Sequence, residues 1–256
     1  MRKTKSKKVI LNRRDRDLFN FLYEVKVANS WQVVREIYPN LSITIFYRRI
    51  NKLIRAKLIK RIPALDEKRG LISVYTLSKS TLTKYILGKN DVYANHRCHS
   101  DSVTHDLYLT EIRHYFRNCG QVQEYFTENI IQSETAVYAN RGVNYYRGLN
   151  GDALAIIKVD NQNRTVAIEY EHTIKYSSRY YDYFNQYNNY KHISALLYIV
   201  RDKKMLRTIQ EEEKKVTKPN NFVVYYAVRD ELFENPKELI FTASDGEKKF
   251  ILTQAH

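Results

Sequence analysis

The stretch GDALAIIKVDNQNRTVAIEYEHTIKY (Gly151–Tyr176) leaves little choice of local structure. Two apolar, β-branched runs flank a polar segment, the pattern of a β-hairpin. Yet Asp152 opens the first run, and Glu169 and Glu171 sit at the end of the second. Taking Asp160–Arg164 as the turn, centred near Gln162, paired positions sum to 323 or 324 and Asp152 falls opposite Glu171 or His172. Glu169 and Glu171 are two apart and share a face of their strand. Carboxylates this close repel one another, and their pKa values rise unless a cation neutralises them. A hard divalent ion, Mg²⁺ (or Mn²⁺), suits such oxygens, with Asp152, Glu169 and Glu171 as its ligands. Beside a DNA-binding region, that metal points to phosphodiester chemistry.

The 256 residues suffice for one large domain or two smaller ones, and 43% hydrophobic content supports a buried core. No apolar run approaches the roughly 18–20 residues of a membrane span. The leading segment MRKTKSKKVILNRRDRD is basic without the apolar stretch of a signal peptide, so a cytoplasmic protein without membrane attachment is expected. Cys98 and Cys119 give no disulfide framework. Residues 1–90 hold 22 Lys and Arg against 6 Asp and Glu, whereas residues 91–256 hold 21 against 22. The net charge of +15 therefore resides in the first third. This sets a domain boundary near residue 90 and points to a polyanionic partner. A solubilising face or a membrane-surface patch is the competing explanation.

Within that third, Asn12–Glu24 reads as a helix capped by Asn12, with Leu18, Phe19, Phe21 and Leu22 inward. Ser30 caps a second helix through Ile37, before Pro39. Ser42 caps a third, Ile43–Lys57, with Ile43, Phe46, Ile50, Leu53 and Ile54 inward. Its opposite face carries Thr44, Tyr47, Arg48, Asn51 and Arg55. Two strand-like runs, LIKRI and LISVYTL, are joined by the charged connection PALDEKRG. SKSTLTKYIL closes the unit as a helix.

Three helices and a two-stranded wing resemble the winged helix-turn-helix family over residues 10–88. The resemblance implies that the third helix enters the major groove of double-stranded DNA and the wing touches backbone or minor groove, with Arg48, Asn51 and Arg55 reading bases. Thr44 lies on the same face. Tyr47, Lys52, Lys60, Arg61, Lys68 and Arg69 then contact phosphates. A winged helix that binds protein is the alternative.

Residues 91–256 read as an α/β (α+β) domain with a mixed sheet. After the polar connector DVYANHRCHSDS, the helix SVTHDLYLTEIRHYFRN turns Val103, Leu107, Leu109 or Thr110, and Phe116 inward. Strand Gln121–Thr127 precedes the hairpin. Helix Ser177–Tyr190, strand Ala195–Val200, helix Lys203–Lys215 and strand Phe222–Val228 follow it. Glu238–Thr242 and Lys248–Thr253 look like edge strands.

An acid opening one strand, an acid-rich end to the next and a following helix resemble the PD-(D/E)XK nucleases, a restriction-endonuclease-like fold. Asp152 matches the first acid, with Gly151 in the usual proline position, and Glu169 matches the second. Glu171 stands where a lysine is usual, and Lys175 is the candidate for a migrated lysine. The run AIEYEHTIKYSSRYYDYFNQY…ALLYIV is similar to the plasmid mobilisation and replication-relaxation proteins, which join a winged helix to a nuclease-like domain. That similarity implies metal binding by Asp152 and Glu169, Glu171 as a third ligand or base, and Lys175 steadying charge on the phosphorus. Salt bridges to Lys175, Arg179 and Arg147 are the purely structural explanation of the same acids.

The expectation is a DNA-binding, metal-dependent endonuclease or nickase in mobilisation, a homodimer on half-sites, working with other mobilisation proteins. The rival is a non-catalytic DNA-binding regulator or relaxosome accessory with a degenerate nuclease fold. An RNA-processing factor is a third reading. His96, Cys98, His99, His105 and Cys119 fit no familiar zinc spacing, and His105 serves better in helix capping. Tyr180, Tyr183, Tyr187 and Tyr190 share a helix face and read as packing. A nucleophilic tyrosine or a base-stacking one is the sharper alternative.

Overall fold

The computed structural model describes residues 9–87, 98–133, 143–149, 151–216 and 222–255. Contacts divide the chain into two units, Met1–Glu111 with Gln132–Asn144, and Ile112–Ile131 with Tyr145–His256.

In the first unit, helix α1 (Arg13–Val25) begins at Asn12, whose side chain accepts from the Asp15 N–H at 3.0 Å while Asp15 accepts from the Asn12 N–H at 2.8 Å. This reciprocal box satisfies amides that a first helical turn leaves open. Helix α2 (Ser30–Ile37) is capped by Asn29 rather than by Ser30, because Asn29 forms the same box with Gln32. Helix α3 (Ile43–Arg55) follows Ser42, which holds the cap position without a side-chain hydrogen bond. Phe46, Ile50 and Leu53 are fully buried. Ile43, expected inward, is instead 40% exposed, and burial on this helix starts with Phe46.

An antiparallel sheet in the order β1-β3-β2 joins Ala28–Asn29 (β1), Ile59–Asp66 (β2) and Gly70–Leu77 (β3). Much of the expected PALDEKRG loop is strand: Pro63, Ala64 and Leu65 pair with Ser73, Ile72 and Leu71. Pro63 is tolerated because β2 is an edge strand. The tip is tightened by the Asp66 carboxylate, which accepts from the Lys68 and Arg69 N–H groups at 3.0 and 2.8 Å. A short α4 (Lys79–Thr81), capped by Ser78, runs into a π-helical turn at Leu82–Leu87. Helix α5 (Val103–Arg117) contributes Leu107 to a cluster with Val27, Ala64 and Val74. Of the two residues left open, Thr110 is buried and donates to the Val27 carbonyl at 2.7 Å.

The second unit contains a mixed seven-stranded sheet in the order β10-β9-β8-β7-β6-β5-β4. Its strands are β4 (Val122–Thr127), β5 (Ala153–Val159), β6 (Gln162–Glu171), β7 (Ala195–Val200), β8 (Val223–Val228), β9 (Glu238–Ala243) and β10 (Lys249–Thr253). A short α6 (Glu128–Ile131) follows β4. Strands β6, β7 and β8 run parallel, with α7 (Ser177–Asn188) and α8 (Lys203–Lys214) as the connections such pairing requires. Helix α9 (Arg229–Glu234) follows β8. Strand β9 is interior, flanked by β8 and β10, so only β10 of the last two lies at the edge. The sheet curls: Phe116 of α5 stacks near both Tyr125 of β4 and Phe241 of β9. Cys119 forms a bridge to Gln254, and the Gly120 N–H donates to the Thr253 carbonyl at 2.9 Å.

The hairpin register corrects the expected one. The turn is the two-residue Asp160–Asn161, with φ of 48° and 60°. Asp and Asn tolerate this left-handed conformation, which matches the twist of the strands. Val159 pairs with Gln162 and Ala153 with Ile168, giving a sum of 321. Extending that register by one residue sets Asp152 across from Glu169, not Glu171.

Candidate functional site

Directly opposed residues of an antiparallel pair project from the same face with Cβ atoms about 4.5–5.5 Å apart. Asp152 and Glu169 are therefore side by side, and Glu171 lies one step further along the same face of β6. Strand β5 begins at Ala153, so the ladder ends before Tyr170, and the Asp152 carboxylate accepts from the Tyr170 N–H at 2.8 Å instead. Glu169 is 4% exposed and accepts a hydrogen bond from the Tyr187 hydroxyl of α7. Glu171, 2% exposed, meets the Lys175 ammonium at 2.9 Å and accepts from the Tyr198 hydroxyl at 3.2 Å. Lys175 is held by its own backbone N–H, which donates to the Tyr180 hydroxyl at 2.9 Å.

These contacts set the electrostatics. Burial, and next the charge of Asp152, lift the Glu169 carboxyl well above its usual range, against the Tyr187 hydrogen bond and Lys175. Burial also raises Glu171, with Lys175 opposing. The Tyr183 hydroxyl is raised by burial and by the charges of Glu169 and Asp152. Lys175 lies 5.4 Å and Arg179 5.9 Å from the centre of the Tyr183 ring. The tyrosine stripe thus packs, as its spacing suggested, and two of its members also border the acids.

Position 151 has no room for a side chain. A Cβ there would stand 2.5 Å from the Tyr187 hydroxyl and 3.1 Å from Glu169 Oε1. Only a bare backbone lets α7 bring its tyrosine onto the carboxylate. The sequence offered Tyr187 only as a packing residue or a nucleophile, not as a partner of Glu169, and Tyr198 read as a core aromatic of its strand. The available signal was the parallel β6–β7 pairing, which puts Tyr198 opposite Glu169.

The donor chemistry fits a hard cation: carboxylate oxygens converge on one sheet face, and their mutual repulsion favours a shared positive charge. Each acid also has a partner within the protein, and no group of three or more His, Cys, Asp or Glu closes on one point among the described residues. Among the zinc candidates, His96 lies outside the described residues. Cys98 is half-buried and Cys119 buried, its thiol pushed up to about 11 by burial. His105 lies beside its neighbour Asp106, with Nδ1 3.8 Å from the carboxylate.

In the first unit, Thr44, Tyr47, Arg48, Asn51, Lys52 and Arg55 are all exposed on α3. Lys60 and Arg61 are exposed on β2, and Lys68 and Arg69 at the hairpin tip. Arg61 Nη2 donates to Asn51 Oδ1 at 3.0 Å, linking hairpin and helix into one surface. Behind α3, Arg49 clamps the fully buried Asp15, with Nε donating at 2.8 Å. Arg49 was not singled out in the sequence, since its partner Asp15 lies on another helix and no local pattern marks the pair.

No helix of the described residues is long and apolar enough to cross a membrane. No family model, curated protein or solved structure matches the chain.

Proposed function

We propose that the chain binds duplex DNA through its first unit, acting as a winged helix, and cleaves or nicks it at the acid cluster of the second with a divalent metal. The observation that carries this reading is the pairing of half-buried Asp152 with buried Glu169, with Lys175 at the adjoining Glu171. An apolar sheet face is a costly place for unneutralised carboxylates unless their charge has a use. Asp152 and Glu169 would hold the ion, with Glu171 at their flank. Bound there, magnesium or manganese would supply phosphate polarisation and a more acidic water. The Glu171 carboxylate keeps the Lys175 ammonium over the site, where it donates to a phosphoryl oxygen as negative charge grows. Tyr187 fixes the orientation of Glu169, and α7 closes that side to water. In the first unit, Arg48, Asn51 and Arg55 face outward from a helix of suitable length for the major groove.

A second reading, a DNA-binding regulator with a silent nuclease-like domain, is favoured by one observation: Asp152, Glu169 and Glu171 each have a partner without metal. One experiment separates the two. Supercoiled plasmid carrying the chain's own locus is incubated with the full chain and magnesium or manganese. Metal-dependent relaxation that Asp152→Ala and Glu169→Ala abolish, while DNA binding persists, supports the nuclease. Salt-sensitive binding without any relaxation supports the regulator.

A further inference from the structure

The β2–β3 hairpin ends in an apolar pair that the fold leaves in solvent. Leu65 is 62% exposed and Leu71 77%, and the two are directly paired beside the turn that holds Lys68 and Arg69. Paired residues share a face, and alternate pairs continue it: Leu65–Leu71, Pro63–Ser73, then Arg61–Tyr75. Through Arg61, that face reaches Asn51 on the outward side of α3. The leucines thus belong to the surface that carries the candidate base-reading residues.

The opposite face of the hairpin is packed. Ala64 and Val74 lie in the cluster with Val27 and Leu107, against which Ile62, Ile72 and Val103 also rest. Thr104 at the start of α5 donates its hydroxyl to the Leu65 carbonyl at 3.0 Å. The tip is therefore a braced strut and not a free loop. Its two leucines are held outward by structure on the other side.

We propose that Leu65 and Leu71 form a rigid wedge that enters the minor groove of the bound duplex and kinks it. The inference rests on the DNA-binding reading and extends it to the shape of the complex. Charge selects the occupant. The apolar pair is adjoined by Lys68 and Arg69, in a region with 22 basic against 6 acidic residues. A second copy bringing the same positive face would be repelled. Duplex DNA offers phosphates for the two cations, and a base step that apolar side chains can unstack.

The test uses the full chain and a short duplex with a randomised centre, enriched on the wild-type protein, then labelled with a dye pair at its ends. The wild type should raise energy transfer between the ends, corresponding to a bend of about 20–90°. Leu65→Ser with Leu71→Ser should bind within about threefold of wild type, because phosphate contacts dominate affinity, and should leave the duplex straight. Leu65→Met with Leu71→Met should restore the bend. Unchanged thermal unfolding of these variants excludes loss of fold. Wild-type binding without bending, or bending by the serine variant, overturns the wedge while leaving DNA binding intact. Self-association that depends on the leucines without DNA, seen by sedimentation, overturns it too. If the wild type enriches no duplex, both the wedge and the DNA-binding reading fall.

Discussion

Replacing Glu169 by Gln should stabilise the metal-free chain, and the gain should grow with pH. Burial and the neighbouring Asp152 charge raise the Glu169 carboxyl well above the ordinary carboxylate range. An acid raised in the folded state carries an extra proton there, between its unfolded and folded pKa values. Wild-type stability therefore falls as pH climbs from the ordinary carboxylate value through the raised one. The fall is at most about 1.4 kcal/mol per pH unit for each proton concerned. Each kcal/mol lost in that window lowers the melting temperature of a protein this size by about 2–4 °C. Glutamine keeps an oxygen for the Tyr187 hydroxyl and cannot ionise, so the variant escapes the loss. Denaturant unfolding in chelator, from about pH 5 to pH 8, should show the variant-minus-wild-type difference rising with pH, other groups cancelling. A flat difference, or one that comes to favour wild type, refutes the argument. Magnesium should then stabilise wild type by mass action, increasingly at higher pH, and leave the variant unmoved.

Gly151→Ala forces a methyl against the Tyr187 hydroxyl, so metal-dependent nicking should be lost while duplex binding, measured by gel shift, stays within error. Lys175→Met leaves the buried Glu171 without its ammonium partner. Unfolding at neutral pH should show a cost of about 1–3 kcal/mol, shrinking as acid protonates Glu171. Arg49→Ala strands the fully buried Asp15, a loss of about 3–5 kcal/mol that calorimetry should place in the first unit, together with loss of DNA binding. Lys68→Ala should reduce the salt dependence of binding by about one ion and leave sequence preference unchanged.

Much of the fold was legible because hydrophobic period and turn chemistry agreed. Strand Ala195–Val200 is a continuous buried run and lies where the sequence put it. The outward face of α3 follows from helical spacing alone, and every residue assigned to it is exposed. The failures share a cause: local signals that depend on which of two neighbours a side chain serves. Asn29 and Ser30 can each cap a helix, and the choice fell to the one that Gln32 answers. The polar segment Asp160–Arg164 admits several hairpin centres, and only the positive φ of Asp160 and Asn161 fixes one. Since one step of register moves every cross-strand partner, the acid that faces Asp152 was illegible until the turn was known. The role of Tyr187 was hidden differently: it depends on how closely α7 approaches Gly151, a tertiary distance that no local pattern encodes.

The bridge between the two outer strands of the curled sheet has a consequence for solution behaviour. Exposed strand borders invite foreign strands to add themselves. Here the approach to β4 and the end of β10 occupy one another: Gly120 bonds to Thr253, Gln121 exchanges two hydrogen bonds with Thr253, and the Ala255 N–H donates to Asn118. Trimming those last few residues would unlatch both borders at once, and the expected symptom is clumping of otherwise folded molecules rather than a lower melting point.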